Sequence, residues 1–181
     1  IIPLAACASD DYQYVIGCVY GAWKPAIGYR SGGGVTLVEQ VGVYSLGSWR
    51  AGWGATLNTM ACLDDNGWCH AVFPTADEEY NPAVIYARPT SATTWTFSVL
   101  SASDWVAGIA FESVSGSLVA MLCESAGADL SVIRSSDGGA TWSSPAVVFD
   151  SATSEPNIVA IANGTLLCVF GAWGGSDGLG T

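Results

Sequence analysis

His70 is the only histidine of this 181-residue chain, and it falls in a short apolar stretch. A Ser-His-Asp triad or a zinc site with several histidines would have to be built around that single ring. The acidic run 64–67 (Asp-Asp-Asn-Gly) offers oxygen atoms to Ca²⁺, but it lacks the loop length and the later carboxylate of an EF-hand. A tight hairpin turn explains this run better. The residues therefore predict neither a triad nor a metal site, and we expect no cofactor.

Six cysteines are spread along the chain at spacings that match no metal-binding pattern. Cys62 and Cys69 flank the predicted turn, which would allow a cross-strand disulfide. The alternative is that both are small apolar fillers, because free cysteine is commonly buried. The spacing alone leaves both interpretations open.

Composition excludes several kinds of partner. Five lysines and arginines against 16 aspartates and glutamates give a formal net charge of −11, which would repel a nucleic-acid backbone. Mean hydropathy is positive, at +0.38, but no apolar run approaches the roughly 20 residues of a spanning helix, so we expect no membrane insertion. The 22 glycines, 8 tryptophans and 12% of charged residues are typical of many short strands joined by tight turns.

The chain repeats itself. Residues 18–23 (CVYGAW) return as residues 168–173 (CVFGAW), 150 positions later, with five of six identical. Between them, a glycine turn before an alternating apolar strand recurs at Gly67, Gly116 and Gly164, in steps of 49 and 48 residues. One such period holds about four short strands, as a propeller blade does. The sequence therefore predicts an all-β protein, a β-propeller of four-stranded blades with three to four blades of a partial ring visible.

We treat residues 1–181 as a single propeller domain or segment, with blade units at approximately 1–56, 57–107, 108–156 and 157–181. Strands of the third unit are predicted at 109–113, 118–123, 130–134 and 142–149, each bounded by Gly, Ser, Asp or Pro. A β-sandwich is the alternative, which a 48-residue repeat favours less. Because the last unit would leave an open edge strand, we expect more chain or a partner to complete the ring.

Residues 135–142 (SSDGGATW) match the pattern S-x-D-x-G-x-T-W at every fixed position. In such a turn Asp137 accepts hydrogen bonds from turn amides and Gly139 takes a positive φ. We expect Thr141 to continue the strand and Trp142 to bury its ring between neighbouring sheets. Weaker copies at 91–95 and 30–37 keep the same register within the repeat.

The pattern resembles the Asp-box, or BNR repeat, of sialidases and related β-propellers, through Ser135, Asp137, Gly139, Thr141 and Trp142. In that family the motif is structural and lies away from the ligand, which implies a structural role for these five residues. The resemblance also implies a ligand face made by the loops from second to third strand and by the loops from blade to blade.

Loops of these two kinds carry five of the eight tryptophans. Exposed indoles favour stacking on a sugar or burial in a protein interface. The alternative is that they close the junctions between blades. The predicted ligand-binding residues are Trp23, Trp49, Arg50, Trp53, Trp105 and Trp173.

A sialidase clamps a carboxylate with three arginines and uses an Asp acid/base and a Tyr nucleophile paired with a Glu. Of the four arginines here, three fall at the ends of predicted third strands beside the motif turns: Arg30, Arg88 and Arg134. Only Arg50 falls on the predicted ligand face, and Ile1 stands where family members often begin with the arginine of an Arg-Ile-Pro motif. Asp104 and Tyr80 complete the set of catalytic candidates with Arg50.

The sequence therefore favours a non-catalytic module for glycan binding, adhesion or structure, in a secreted, cell-surface or virion protein. Its expected partner is a glycan or a protein surface, with further blades or subunits of a larger assembly. The alternatives are a sialidase-like exo-glycoside hydrolase and a purely architectural assembly subunit.

Overall fold

The structure, a computed structural model, describes residues 2–18, 24–39, 60–76, 81–102, 106–112, 115–123, 129–149, 152–161 and 165–172. In these ranges every regular element is a β-strand, and the 14 strands form three four-stranded sheets and one two-stranded sheet, all antiparallel. None of these residues belongs to a helix with the length and apolar character needed to cross a membrane.

Each sheet takes its strands in chain order. Sheet 1 contains β1 (Ile2–Ala8), β2 (Gln13–Cys18), β3 (Pro25–Arg30) and β4 (Val35–Glu39). Sheet 2 contains β5 (Met60–Leu63), β6 (Cys69–Ala76), β7 (Pro82–Ser91) and β8 (Thr94–Ser101). Sheet 3 contains β9 (Val106–Glu112), β10 (Ser117–Cys123), β11 (Leu130–Ser135) and β12 (Ala146–Phe149). Sheet 4 contains β13 (Ala152–Ile161) and β14 (Thr165–Ala172).

Sheet 2 is buried on both of its faces. Side chains alternate between the two faces of a strand, so Phe73 and Ile85 face the opposite way from Val72 and Val84. The first pair packs with Ile16 and other residues of sheet 1, whereas the second pair packs against sheet 3. Alternation of apolar residues on both faces therefore makes sheet 2 the middle layer of a stack.

The sheets fan out from their first strands. β1 lies beside β5, β5 beside β9, and β9 beside β13. The fourth strands carry exposed apolar side chains, such as Val35, Val99 and Val147, the last of which is 57% exposed. First strands in mutual contact and fourth strands in solvent are what blades radiating from a common axis would show.

The prediction of an all-β fold with antiparallel four-stranded sheets is confirmed. Across the described ranges the sheets form no closed ring. The unit boundaries at 56, 107 and 156 stay predictions.

The predicted strand at 142–149 is too long, because β12 begins only at Ala146. Thr141 was expected to continue this strand, but its amide and its hydroxyl both donate to Asp137 within the turn. Pro145, just before β12, has no amide hydrogen to give to a ladder. Turn chemistry therefore overrides the strand propensity of Thr141 and Trp142.

The cross-strand disulfide considered for Cys62 and Cys69 is absent, since both are free thiols. Cys69 stands opposite Leu63 in the ladder, and Cys62 stands opposite His70. A shift of one residue places the two thiols on opposite faces of sheet 2. Cys69 accordingly packs toward sheet 1, and Cys62 packs with the cluster between sheets 2 and 3.

Candidate functional site

The residues predicted to bind a ligand or to take part in catalysis lie outside the described residues. They are Trp23, Trp49, Arg50, Trp53, Trp105 and Trp173, together with Asp104 and Tyr80. Those that precede sheet 4 belong to connections between strands. The described strand ends show from which end of each sheet those connections start.

In sheet 1 these connections leave from one end. Cys18 pairs with Pro25, and the next residue, Ala26, pairs with Glu39. The connection from β2 to β3 and the connection from β4 to sheet 2 therefore start at the same end of the sheet, which we call the loop end.

Sheets 2 and 3 are organised in the same way. Ala76 pairs with Pro82 at the connection from β6 to β7, and Ser101, the last residue of β8, pairs nearby with Val84. In sheet 3, Cys123 pairs with Val106 on one side and with Leu130 on the other. All the predicted ligand-binding and catalytic residues that precede sheet 4 thus belong to connections at a loop end.

The opposite ends, which we call the turn ends, hold the tight hairpins and touch one another. The Tyr14 hydroxyl of sheet 1 shares its proton between the carbonyl oxygens of Gly67, at 3.2 Å, and Ala92, at 3.1 Å, in two hairpins of sheet 2. Gly67 also lies against Ser9, because a Cβ added to it would stand 3.0 Å from the Ser9 Cβ. Since the turn ends of sheets 1 and 2 coincide, their loop ends also face the same side.

Three arginines lie toward the turn ends. Arg30 ends β3, Arg88 is in β7 three residues before its end, and Arg134 is the penultimate residue of β11. The Arg30 guanidinium donates from Nε to the carbonyl oxygen of Gly33, at 3.1 Å, within its own hairpin. These three guanidiniums therefore stand away from the loop ends, as their place beside the motif turns predicts.

The hairpin between β11 and β12 is organised by one carboxylate. Asp137 Oδ1 accepts hydrogen bonds from the amides of Ala140, at 3.0 Å, and Thr141, at 2.9 Å, and from the Ser135 hydroxyl, at 2.7 Å. The Thr141 hydroxyl donates to Oδ2 at 2.6 Å. The Thr141 bonds, and then those from Ser135 and Ala140, hold the pKa of Asp137 well below its usual range. The carboxylate is thus committed to the turn.

Gly139 in this hairpin is fixed by its neighbour in sheet 2. Its φ of 81° lies in the left-handed region, and its amide donates to the Ser135 hydroxyl at 2.8 Å. A Cβ at this position would overlap the Tyr86 hydroxyl and stand 2.6 Å from Cζ of that ring. The Tyr86 ring also meets Trp142 edge to face, with centroids 5.4 Å apart. The hairpin therefore closes over Tyr86.

Tyr86 is the inner end of a chain of polar side chains that starts at the partly exposed Asp64. Its hydroxyl lies 2.7 Å from His70 Nδ1, and His70 Nε2 lies 3.4 Å from Asp64 Oδ2. Because a carboxylate only accepts, Nε2–H donates to Asp64 and Nδ1 accepts the Tyr86 proton. Burial lowers the pKa of His70 and raises that of Tyr86, so both are neutral at pH 7.

All three residues of this Asp64–His70–Tyr86 chain belong to sheet 2 and its first hairpin, and its buried end at Tyr86 lies against the Gly139 hairpin of sheet 3. His70 and Tyr86 are each 1% exposed, and Gly139 covers the hydroxyl. The sequence marked His70 as a strand residue without selecting Tyr86 as its partner. The sequence did contain a signal for the other partner of His70, because Asp64 lies six residues earlier, on the other side of a hairpin turn. Across the described residues, no three His, Cys, Asp or Glu side chains converge as metal ligands.

No protein-family model and no curated protein matches the chain. Among solved structures, it is similar to the Trypanosoma rangeli sialidase, with a TM-score of 0.53 and 17% identity over 90% of this chain and 32% of that one. It is also similar to the Hadza microbial sialidase Hz136, with a TM-score of 0.49 and 14% identity over 81% of this chain and 40% of that one.

The chain has a sialidase-like fold, as the motif predicted. At this low identity, the similarity extends to the fold alone. The chain spans about a third of the length of the Trypanosoma rangeli sialidase and 40% of that of the Hadza sialidase.

Proposed function

We propose that this chain is part of an Asp-box β-propeller that binds a glycan at its loop ends and does not hydrolyse it. The observation that carries the proposal is that the connections containing tryptophans and the described arginines belong to opposite ends of the sheets. The tryptophan-bearing connections before sheet 4 start at the loop ends, whereas Arg30, Arg88 and Arg134 lie toward the turn ends. A surface rich in indole and poor in guanidinium suits the apolar face of a sugar ring better than an anionic group.

The Asp-box assignment rests on the turn at 135–142. One carboxylate takes two amides and two hydroxyls, and a glycine with positive φ lets the hairpin close on the next sheet. Every fixed residue of the pattern has a contact within its own hairpin or across the junction with sheet 2. These residues are thereby occupied structurally, which directs the search for ligand contacts to the opposite end.

A non-catalytic role is favoured because a sialidase needs three convergent guanidiniums. Arg50 is the single arginine that the sequence assigns to the loop ends. With Asp104 and Tyr80, it remains the set of candidates for the rival proposal, an exo-glycoside hydrolase. We place the module outside the cell, on a secreted, cell-surface or virion protein, where glycans are available and further blades or subunits would adjoin it.

A glycan array and a fluorogenic sialoside assay on the same purified chain test this function. We expect specific glycan binding without turnover, and a loss of that binding in the double variant Trp49→Ala and Trp53→Ala. Val148→Ser, on the exposed fourth strand of sheet 3, is the matched control and should bind normally. Turnover of the sialoside would overturn the proposal in favour of the hydrolase.

An architectural role is the second candidate, and the fourth strands favour it. Val147 and Val148 of β12 are 57% and 55% exposed, and Phe149 beside them is 39% exposed. Exposed apolar side chains on an edge strand favour contact with a neighbouring subunit. Two results together would favour this role over glycan binding. They are the absence of binding on the glycan array and a concentration-dependent association, measured by light scattering, that Val147→Ser abolishes.

A further inference from the structure

Two cysteines from different sheets meet at the junction of sheets 1 and 2. Cys7 is in β1, Cys69 begins β6, and their sulfur atoms are 3.4 Å apart although 62 residues separate them in sequence. Cys69 is fully buried, whereas Cys7 is partly exposed. The contact is one of tertiary packing, since neither residue pairs with the other in a ladder.

The separation is close to what a covalent bond requires. A disulfide holds its sulfurs about 2.05 Å apart, so each sulfur would have to move by less than about 1 Å. Rotation about χ1 of either cysteine moves its sulfur over distances of this size. Cys62, in contrast, lies on the other face of sheet 2 and cannot take part.

The two thiols also differ in reactivity. The hydrogen bond with Cys69 lowers the pKa of Cys7, whereas the same bond and burial raise the pKa of Cys69. A thiolate is the attacking species in disulfide exchange, and it has to meet the oxidant. Partial exposure and a stabilised thiolate both assign the first step to Cys7.

We propose that Cys7 and Cys69 are a disulfide site that joins sheet 1 to sheet 2 when the chain meets a small disulfide such as oxidised glutathione. The Cys7 thiolate attacks one sulfur of the oxidant, which forms a mixed disulfide and releases one thiolate. Cys69 then loses its proton to that thiolate and attacks the Cys7 sulfur, which displaces the second. Two protein thiols are thus oxidised, and one glutathione disulfide is reduced to two thiols.

The proposal is independent of glycan binding, because it rests only on the packing of sheets 1 and 2. It fits an extracellular setting, in which disulfides persist, but it does not require one.

Peptide mapping of the whole chain after incubation with oxidised glutathione and alkylation tests the site directly. We expect one cross-linked peptide pair, joining Cys7 to Cys69, with a mass two hydrogens below that of the separate thiols. Oxidation should raise Tm by roughly 10 °C in the wild type and in Cys62→Ser, and should leave the Tm of Cys7→Ser unchanged.

Peptide mapping of the wild-type chain shows whether Cys7 and Cys69 are bonded, even where a variant fails to fold. A stable glutathione adduct on Cys7 with a free Cys69 would overturn the proposal. A bond from Cys69 to Cys62, or two alkylated thiols after prolonged oxidation, would overturn it equally.

Discussion

Replacement of Gly139 by alanine separates backbone strain from steric conflict, because the chain supplies a matched control one residue away. Gly138 and Gly139 both have positive φ, of 67° and 81°. A Cβ on Gly138 meets no atom within 4 Å, whereas a Cβ on Gly139 would overlap the Tyr86 hydroxyl. The two substitutions therefore share the strain and differ in the clash.

The expected magnitudes follow from this difference. Gly138→Ala should lower the free energy of unfolding by about 1 kcal/mol, the cost of a left-handed backbone for alanine. Gly139→Ala adds about 1–3 kcal/mol for overpacking, since the Tyr86 ring is buried and cannot swing into solvent. Displacement of the Tyr86 hydroxyl from His70 adds about 1 kcal/mol. The two variants should therefore differ by about 2–4 kcal/mol.

Urea unfolding followed by tryptophan fluorescence measures both variants. The same pair of substitutions in a Tyr86→Ala background completes the test, because removal of the ring should reduce the cost of Gly139→Ala to that of Gly138→Ala. Equal stabilities of the two single variants would refute the reasoning. So would a cost of Gly139→Ala that persists without the Tyr86 ring.

Three further predictions concern hydrogen bonds of the same structure. Trp95→Phe removes the 2.7 Å bond from Nε1 to the buried Cys69 carbonyl, and should cost about 1–3 kcal/mol in urea unfolding; an unchanged midpoint would contradict this. Tyr14→Phe removes a hydroxyl shared by two carbonyls of sheet 2 and should cost about 1 kcal/mol by the same measurement; a variant as stable as the wild type would count against this bond. The lowered pKa of Asp137 stabilises the fold above the unfolded value of about 3.9, and this contribution is lost as pH falls below it. Asp137→Asn should therefore flatten the fall in urea midpoint between pH 5 and 2.5, and an identical fall in both proteins would argue against it.

The sheet architecture was predictable because it follows from local rules. Apolar residues alternate with period two along each strand, and glycine turns recur every 48 or 49 residues. The hydrogen bonds of Asp137 were also predictable, because an aspartate followed by Gly-Gly and a threonine has amides and a hydroxyl within reach.

Of the contacts between sheets, the sequence predicted that of Trp142, which packs on Tyr86 of sheet 2, but it did not predict the thiol pair. The pairing of Cys7 with Cys69 depends on how two sheets stack, which no spacing within either hairpin records. The sequence left open whether Cys62 and Cys69 form a disulfide; they do not, because a ladder register one residue away puts the two side chains on opposite faces. The assignment of the tryptophans to the loop ends rests on the sequence, because these residues lie outside the described ones.

The junction between sheets 1 and 2 has a consequence for how such repeats diverge. The Tyr14 hydroxyl donates across it to two main-chain carbonyls, a group that every amino acid carries. Substitutions in the turns that accept these hydrogen bonds therefore preserve the contact between the sheets, provided that the backbone conformation of the turns is unchanged. The repeat at 91–95 can thus retain little of the turn pattern besides Thr94 and Trp95 and still hold its neighbour.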